Sequence, residues 1–515
     1  AFFISIVRRF SSLLPDWVLI NEDFDVYPFD RNWWDDYELL KLGGQPCKYR
    51  STFNNQDSHS PLDLNKKPDQ EIVKIWDYCA ENKTVDYAMC RSMAFTIVKN
   101  NIQVKNLILS TYKYLFLDEF QDTTDAQYNF IKTIFNDSDT VVTAVGDTNQ
   151  MIMSWAGASS NNFEKLEKDF NSSIINLVIN HRSNSKIINL INHVIKDLTP
   201  VGEKAVIYEG TADKKAPPNC IGIKAFHNAQ SEGEYIAQYI NVILSNNSTL
   251  TASDFVLILR QKAEDYFNQT ENIFQKYNLT LRNEDALISK GGLRIQDIMT
   301  EPLPIFWILI IKYKAGYIDY AQEKELERMV VALTGYDLEN EKEYRRLKNH
   351  ILELVSCVDI SIPITEVVEK LIKITGEMKI RTTFPQYKSE YLEKVKKGFC
   401  ILFQKAIDQS PTDIRQAIDS YQGLNQVKLM TIHKCKGLEF NTVFFVDFHD
   451  DSWWGLRQAI QKKNREKQKE EKNSFFVGLS RAEERLFFTK NQGNWPPLIS
   501  DLLDKSMLLE EMPDS

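Results

Sequence analysis

The chain has 515 residues, a length that the usual domain size divides into about three or four compact units. The hydrophobic fraction of 43% and the charged fraction of 26% are ordinary for a globular protein, and no apolar run is long enough to predict a membrane span. The formal net charge of -9 does not decide whether the chain binds nucleic acid, because phosphate contacts need local Lys and Arg rather than a basic total.

The cysteines and the first residues indicate in which cellular compartment the protein is located. The seven cysteines form no CxxC pair and no His/Cys cluster at zinc spacing, so we expect reduced, mostly buried thiols. This pattern favours an intracellular location, cytoplasmic in a bacterium, over secretion. The opening AFFISIVRRF predicts an amphipathic helix already under way and has no signal-peptide cleavage site. We therefore expect the chain to begin inside a domain.

Along the chain, residues 13–83 are rich in Trp, Asp and Asn with little periodicity, and we interpret them as an insertion. Short apolar runs then predict buried strands of α/β type. Helical periodicity over 295–423 indicates an inserted α-helical domain, and the charge run at 456–473 is typical of a solvated helix face. The predicted strands are Tyr114–Leu117, Val141–Val145, Phe255–Leu259, Val427–Ile432 and Thr442–Val446.

The first predicted strand ends in two acids, Asp118 and Glu119, within the segment LFLDEFQD. Open α/β sheets bind their ligands at the carboxyl ends of strands. One carboxylate there can hold Mg²⁺, and its neighbour can orient or deprotonate water. On its own such a pair is more often a helix N-cap, so the neighbouring segments decide between the two interpretations.

The next predicted strand leads into a polar turn. Gly146 and Asp147 follow it, and Gln150 and Trp155 come within the next ten residues. A Gln amide can contact a phosphate oxygen, and an indole offers a flat face on which an unpaired base can stack. The alternative interpretation is a buried core Trp beside a polar turn.

Three later segments combine turns with basic side chains. The segment NHRS places Arg182 at a strand end, where the alternative is a surface salt bridge. TIHKCKGLEF leads from a strand into a Lys-Gly turn whose backbone N–H groups and amines suit phosphates. VGLSRA is expected to place Arg481 at the head of a helix ahead of the strand RLFF. Each segment is a weak signal alone.

In this order and spacing, the five segments resemble motifs of the UvrD/Rep/PcrA family of superfamily 1 helicases, over nearly the whole chain. DEFQD resembles motif II, GDTNQMIMSWAGA motif III, HRS motif IV, TIHKCKGLEF motif V and VGLSRA motif VI. The resemblance implies an α/β fold class with two RecA-like P-loop NTPase motor domains and helical insertions, in a 1A/1B/2A/2B architecture. The first motor domain is expected to be incomplete.

The resemblance also implies an order of domains along the chain. The expected order is a remnant of the first RecA-like domain at 1–12, a 1B-like insertion at 13–83, the first RecA-like domain at 84–178, the first part of the second at 179–294, a helical 2B-like insertion at 295–423, the second part of the second at 424–500, and a tail at 501–515.

Carried over residue by residue, the resemblance implies ATP and Mg²⁺ as cofactors. Asp118 would hold Mg²⁺, and Glu119 would activate the attacking water. Gln150 would sense the γ-phosphate. Arg182 and Arg481, from the second motor domain, would act as arginine fingers that stabilise charge on the transferred phosphoryl group.

The same resemblance assigns five further contacts. Gly437 and Glu439 would bind the nucleotide, Glu439 at the ribose. On the other ligand, single-stranded DNA, Trp155 would stack on a base, with Thr431 and His433 near the DNA backbone.

The sequence departs from the family pattern in two places. No Gly is followed by Lys anywhere, so the phosphate-binding loop is absent, and we expect roughly 80 to 100 residues of a normal motor to precede Ala1. The chain as given is therefore expected to be inactive. In motif III, Met153 and Ala156 stand where the family usually has Tyr and Arg, which removes an aromatic and a cation from the predicted DNA face.

Two functions stay open from the sequence. The first is an ATP-dependent DNA helicase that moves 3′ to 5′ on single-stranded DNA and at single/double-strand junctions, in repair, replication or defence, with protein partners of that pathway. The alternative is a non-catalytic, helicase-like subunit that binds DNA or regulates a partner. The presence of both acids, Gln150 and both fingers favours the enzyme. The sequence does not predict an oligomeric state.

Overall fold

The computed structural model describes residues 87–152, 161–199, 205–211, 215–289, 292–359, 361–388, 390–497 and 510–512, together with Ile6, Asp25–Val26 and Thr84–Val85. The predictions for 1–12, for nearly all of 13–83, for most of 501–515, and for Met153, Trp155 and Ala156 lie outside the described residues.

The first α/β part of the fold carries the acid pair. Its strands β3 and β4 pair in parallel, with Tyr114 opposite Val141 and Leu117 opposite Ala144. A capping box starts the helix between them, because the Thr124 hydroxyl accepts from the Gln127 N–H and the Gln127 side chain accepts from the Thr124 N–H. The elements up to this point are β1 (Asp25–Val26), β2 (Thr84–Val85), α1 (Tyr87–Asn100), α2 (Ile102–Thr111), β3 (Tyr114–Leu117), α3 (Asp125–Phe135), β4 (Val141–Ala144) and α4 (Asn162–Phe170).

A seven-stranded parallel sheet forms the second α/β part, in the order β13-β7-β12-β11-β8-β10-β9. A separate parallel pair, β5 and β6, flanks the helix α5. The elements that precede the helical insertion are β5 (Ile179–Asn180), α5 (Ser185–Leu198), β6 (Glu209–Gly210), β7 (Ile221–Ala225), α6 (Ala229–Asn246), β8 (Phe255–Leu259), α7 (Ala263–Lys276) and β9 (Leu281–Asn283).

The chain leaves this sheet after β9 and returns at β10, and between them lies a helical bundle. Its hydrophobic core is distinct from the two cores of the sheet. Helix α9 lies at its centre, because it is apolar on nearly all sides and buries nine of its residues. The helices of the bundle are α8 (Ile295–Thr300), α9 (Pro302–Lys314), α10 (Tyr320–Thr334), α11 (Glu341–Ser356), α12 (Ile364–Thr375), α13 (Glu377–Thr383), α14 (Tyr391–Gln409) and α15 (Ile414–Gln422).

The remaining elements complete the sheet and its cover. Alternate residues of the inner strand β8 enter different cores: Val256 and Ile258 pack with α5 and with α17 (Arg465–Leu479), whereas Phe255, Leu257 and Leu259 pack with α6 and α7. Both faces of the sheet are therefore covered, as expected for parallel strands that are apolar throughout. The remaining elements are β10 (Val427–Thr431), β11 (Phe440–Phe445), α16 (Trp454–Gln461), α17 (Arg465–Leu479), β12 (Ala482–Lys490) and β13 (Glu510–Glu511).

The predicted fold class is confirmed, because parallel α/β sheets carry an inserted helical bundle. The prediction for the charge run at 456–473 is wrong in part. This run lies on two helices, and on the second one Glu470, Glu471 and Asn473 are buried rather than solvated. Their polar groups bond to the rest of the protein, which offsets the cost of burying them.

Two further predictions concern thiols and membranes. Among the cysteines whose side chains the structure describes, Cys220, Cys400 and Cys435 are buried, as predicted, and Cys357 is partly buried. Within the described residues, no helix combines the length and the apolar character that a membrane crossing requires.

Candidate functional site

The acid pair lies where the sequence predicts it, directly after β3. The backbone of Glu119 is left-handed, with φ at 48°, and its N–H donates to the Asp118 carboxylate at 2.8 Å. The N–H of Phe120 bonds to the carbonyl of Val145 at 2.9 Å, which ties the turn after β3 to the turn after β4. A non-glycine residue in this conformation is strained, and such strain is common at functional sites.

Gln121 joins the two turns and was missed by the sequence analysis. It is only 2% exposed. Its amide nitrogen donates to the Glu119 carboxylate, and its amide oxygen accepts from the Asp147 N–H at 3.0 Å. A side chain on Gly146 would overlap this amide oxygen, so the close approach requires glycine. The only sequence signal for Gln121 was its place inside DEFQD.

Gln150 lies in the short turn after β4. Residues of both α/β parts hold this turn, which borders the cleft between the two parts. Its amide nitrogen donates to Asp147 at 3.2 Å, and Tyr208 donates its hydroxyl to the same carboxylate at 3.0 Å. Burial raises the pKa of Tyr208 first, and the Asp147 charge adds to this shift. The Asn473 amide on α17 donates to the Met151 carbonyl at 2.9 Å, so α17 fixes the position of this turn.

Arg481 faces Gln150 from the second α/β part, with its guanidinium nitrogen 3.3 Å from the amide oxygen. Arg481 is 3% exposed, and burial is the main cause that lowers its pKa. Among the described residues, its guanidinium donates only to uncharged oxygens, those of Val477, Leu438, Ser480 and Gln150. Burying a cation is costly. The Glu119 and Asp147 carboxylates stabilise the charge of Arg481 without a hydrogen bond, and a bound anion would stabilise it further.

Arg182 and Glu439 form an ion pair at 2.9 Å, so the predicted second finger contacts the predicted ribose ligand. A second guanidinium nitrogen of Arg182 donates to the Ser480 carbonyl at 2.8 Å, next to Arg481. Gly437 precedes Glu439 by two residues and has a left-handed backbone, with φ at 82° and open space on its side-chain position. Arg182, Gly437, Glu439 and Arg481 therefore lie along the same edge of the second α/β part.

Lys436 crosses the cleft and was also missed by the sequence analysis. Its ammonium lies 3.2 Å from the Glu119 carboxylate and 2.5 Å from Asp122. The segment KGLEF contained this residue, but nothing in the sequence showed that it reaches the acid pair. Glu119 is therefore held by a cation from the opposite side of the cleft.

A cavity of about 450 Å³ lies between these groups, within the rough range of 300 to 1,000 Å³ that small-molecule pockets have. Both guanidinium groups line it, which fits a polyanionic ligand. Asp118 does not line this cavity, but it is exposed next to Glu119, so its carboxylate is available to a cation. The residues present therefore fit a nucleotide phosphate and its metal. The lining includes Gln150, Arg182, Tyr208, Glu439, Ser480 and Arg481.

Thr431 and His433, the two described residues that are predicted to contact DNA, lie at the other edge of the sheet. Thr431 ends β10, and its N–H donates to Asp285 at 2.6 Å. His433 is half-buried, and burial, followed by the Arg260 charge, lowers its pKa. Arg481 and Glu439 stand just before the amino ends of β12 and β11. Because the strands are parallel, the two groups of site residues face opposite edges of one sheet.

Comparisons with known proteins agree with this architecture. Residues 45–171 match the UvrD/REP helicase N-terminal domain, and residues 365–493 match the UvrD-like helicase C-terminal domain. The chain is 24% identical to the ATP-dependent DNA helicase Rep of Buchnera aphidicola (subsp. Acyrthosiphon pisum), over 80% of the chain and 68% of that protein. It is 22% identical to the ATP-dependent DNA helicase PcrA of Staphylococcus aureus, over 85% of the chain and 63% of that protein.

A probable DNA helicase II homolog of Mycoplasma capricolum is 22% identical, over 84% of the chain and 62% of that protein. The chain thus spans about two thirds of the length of the curated relatives it matches. The parallel α/β fold and the two matched domains are consistent with RecA-like motor domains. These matches support a UvrD/Rep/PcrA-like superfamily 1 helicase, from a family of DNA helicases, as the motifs predicted.

Proposed function

We propose that the chain forms part of an ATP-dependent DNA helicase that moves 3′ to 5′ along single-stranded DNA inside the cell. The observation that carries this proposal is Arg481, a buried cation that faces Gln150 across the cleft at 3.3 Å and donates no hydrogen bond to a carboxylate among the described residues. A phosphate bound between the two α/β parts would give this guanidinium a directly bonded anion. Arg481 would then contact the phosphate only when the cleft is closed.

Each residue of the cleft has a proposed task. Asp118 binds the metal ion, which neutralises phosphate charge when it is present. Glu119 orients water and accepts its proton, and Gln121 holds this carboxylate in place. Arg182 and Arg481 approach the phosphates from the opposite side, where they stabilise the charge that develops during transfer.

The nucleotide-free contacts have to change for this chemistry to occur. Lys436 must release Glu119 before the carboxylate can accept a proton, and Arg182 must release Glu439 before Glu439 can bind a ribose. Phosphate oxygens are alternative acceptors for both cations. Binding of a nucleotide is therefore coupled to the contacts between the two α/β parts, and changes in their separation would move Thr431 and His433 along DNA.

The first prediction concerns the chain as given. We expect its 515 residues to show no DNA-stimulated ATP hydrolysis, because no Gly-Lys pair is present to cradle and contact the phosphates. A phosphate-release assay with and without an oligonucleotide checks this. The control is Glu119→Gln, which removes the proposed base. Stimulated hydrolysis that disappears in Glu119→Gln would show that the chain is active without that loop.

The second prediction concerns any longer form of the chain that carries a phosphate-binding loop. We expect Arg481→Ala to lower its DNA-stimulated turnover by about a thousandfold or more, as the loss of an arginine finger does. Arg457→Ala removes an exposed arginine from α16 and should leave turnover unchanged. Undiminished turnover in Arg481→Ala would contradict the finger assignment.

The second candidate function is a non-catalytic, helicase-like subunit that binds DNA or regulates a partner. The absence of any Gly-Lys pair favours it. Both the enzyme and a DNA-binding subunit are expected to bind single-stranded DNA. Only the enzyme expects a loop-bearing form to hydrolyse ATP, so the turnover assay separates the two.

A further inference from the structure

In the part of the chain that the structure describes, Trp454 is the only tryptophan with an exposed side chain. Half of its surface is accessible, whereas Trp307 and Trp453 are 1% exposed. It is the first residue of α16, at the edge of the sheet opposite the nucleotide cleft. Among the described residues, no aromatic ring or cation stacks on it. A large flat apolar surface is therefore open to a ligand.

The backbone around Trp454 is held firmly. Trp453 packs against the Phe448 and Phe475 rings, with centroids 5.4 and 6.2 Å apart. On the other side, a Cβ at Gly455 would lie 2.5 Å from a Glu471 carboxylate oxygen, so the start of α16 presses directly on α17. Trp454 thus extends from a fixed support rather than from a loose loop.

One hydrogen bond sets the orientation of the indole. Its N–H donates to the amide oxygen of Gln261 at 3.3 Å, and the amide nitrogen of Gln261 bonds to the Ser452 carbonyl at 3.5 Å. The hydrogen bond uses the edge of the ring and leaves its faces for stacking. An oriented aromatic side chain loses little conformational freedom when it binds.

Trp454 belongs to the same edge as the residues predicted to contact DNA. Gln261 lies two residues beyond Leu259, which pairs with Thr431 in the sheet. The Arg260–Glu471 ion pair, at 3.0 Å, connects the support of Trp454 to His433, whose pKa both charges influence. The exposed Lys262 follows Gln261 and can contact a phosphate next to a stacked base.

We propose that Trp454 stacks on an unpaired base of single-stranded DNA and forms part of the DNA grip of the second α/β part. This inference rests on the proposed DNA-binding function. The sequence supplies a reason for such a contact, because Met153 and Ala156 replace an aromatic and a cation in motif III. A second aromatic surface would add to the stacking that is predicted for Trp155 in the first α/β part.

The test compares Trp454→Ala, Trp454→Phe and Ile460→Ala in the 515-residue chain, with a fluorescent oligothymidylate as the ligand. Fluorescence anisotropy gives the affinity at several salt concentrations. Loss of one stacked base should weaken binding by about 5- to 100-fold in Trp454→Ala, whereas Trp454→Phe keeps most of the affinity. Ile460 is a partly exposed residue of the same helix, so Ile460→Ala is the control and should bind like the wild type.

The salt dependence separates stacking from charge effects. Trp454→Ala removes no phosphate contact, so the slope of affinity against salt should equal that of the wild type. Lys262→Ala should instead reduce the slope by about 1. Wild-type affinity in Trp454→Ala, or a smaller salt slope in that variant, would overturn the inference while leaving the proposed function intact. A wild-type chain that binds no single-stranded DNA would overturn both.

Discussion

Lys436 holds two carboxylates of the opposite α/β part, and its side chain is 14% exposed. Removing it leaves Asp122 without its partner in a half-buried position. We expect Lys436→Met to lower the free energy of unfolding by about 1 kcal/mol at low salt, with a smaller loss at high salt because ions screen the wild-type pair.

Chemical denaturation at two salt concentrations measures this effect. The matched control is Lys396→Met, which breaks the pair with the more exposed Glu393 inside the helical bundle. Equal salt dependence in the wild type and Lys436→Met would show that the contact across the cleft contributes nothing to stability.

Glu232 is a fully buried carboxyl on α6. It accepts from the Asp447 N–H at 3.2 Å and from the Asn491 amide at 2.8 Å, but burial is the largest effect and raises its pKa from 4.5 to about 7. The folded protein therefore holds this proton more tightly than the unfolded chain. The stability it contributes is complete below pH 4.5 and is lost as the pH rises to 7.

We therefore expect Glu232→Gln to gain stability over the wild type as the pH rises from 5 to 8, by on the order of 1 to 3 kcal/mol. Thermal unfolding across this pH range measures the difference. Glu234→Gln changes an exposed carboxyl of the same helix and should show no such trend. A constant difference between Glu232→Gln and the wild type would refute the raised pKa.

Single residues of the site were predictable only where a motif named them. Asp118 and Arg481 were found because each lies beside a recognisable strand. Lys436 was not, because it meets Asp122 from 314 positions away, and no local pattern encodes such a contact. Glu232 was missed for the same reason, since its partner Asn491 lies 259 positions away.

At the scale of elements, helix α17 ends just before Arg481. Its position on the sheet depends on close packing at Gly478. A side chain there would overlap the Phe445 ring and lie 2.9 Å from the Ile258 side chain. Alanine normally favours a helix by about 1 kcal/mol over glycine, yet overpacking costs about 1 to 3 kcal/mol. We expect Gly478→Ala to lower the free energy of unfolding by about that second amount.

Urea unfolding measures the change. Glu466→Ala replaces an exposed residue of the same helix and should stay within about 0.5 kcal/mol of the wild type. An unfolding free energy for Gly478→Ala equal to or above that of the wild type would show that the sheet yields to the added methyl group.

Strands were easier to predict than the surroundings of charged helices. β8 has the predicted bounds because its five residues are apolar and buried on both faces. β11 starts at Phe440, two residues before the prediction, because Phe440 pairs with Ala482 across a register shift that no sequence pattern indicates. On α17, Glu471 is buried by its ion pair with Arg260, a partner 211 positions away.

At the scale of the molecule, the helical bundle has its own core and joins the sheet through β9 and β10. We expect residues 295–423, produced alone, to fold and to unfold cooperatively on heating, with a helical circular dichroism spectrum. Residues 424–497 alone should stay unfolded, since they lack β8, the strand between β10 and β11. A disordered spectrum for 295–423 would contradict the independence of this core.

The helical periodicity gave the position of this bundle, and the order of the motifs gave two motor domains. The order of strands in the sheet was beyond prediction, because β10 and β11 are consecutive in the chain but have β8 between them. Such crossovers depend on packing between distant segments rather than on any local pattern.

The sheet that separates Arg481 from Thr431 has a mechanical consequence. Its strand β10 has five residues and is thus about 17 Å long, and packing on both faces makes the sheet stiff. Rotating such a plate by about 12° around its nucleotide edge would displace the far edge by roughly 3.4 Å, the rise of one nucleotide in a DNA strand. Under the proposed function, a small rotation at the phosphates would therefore move the DNA edge of the sheet by about one base.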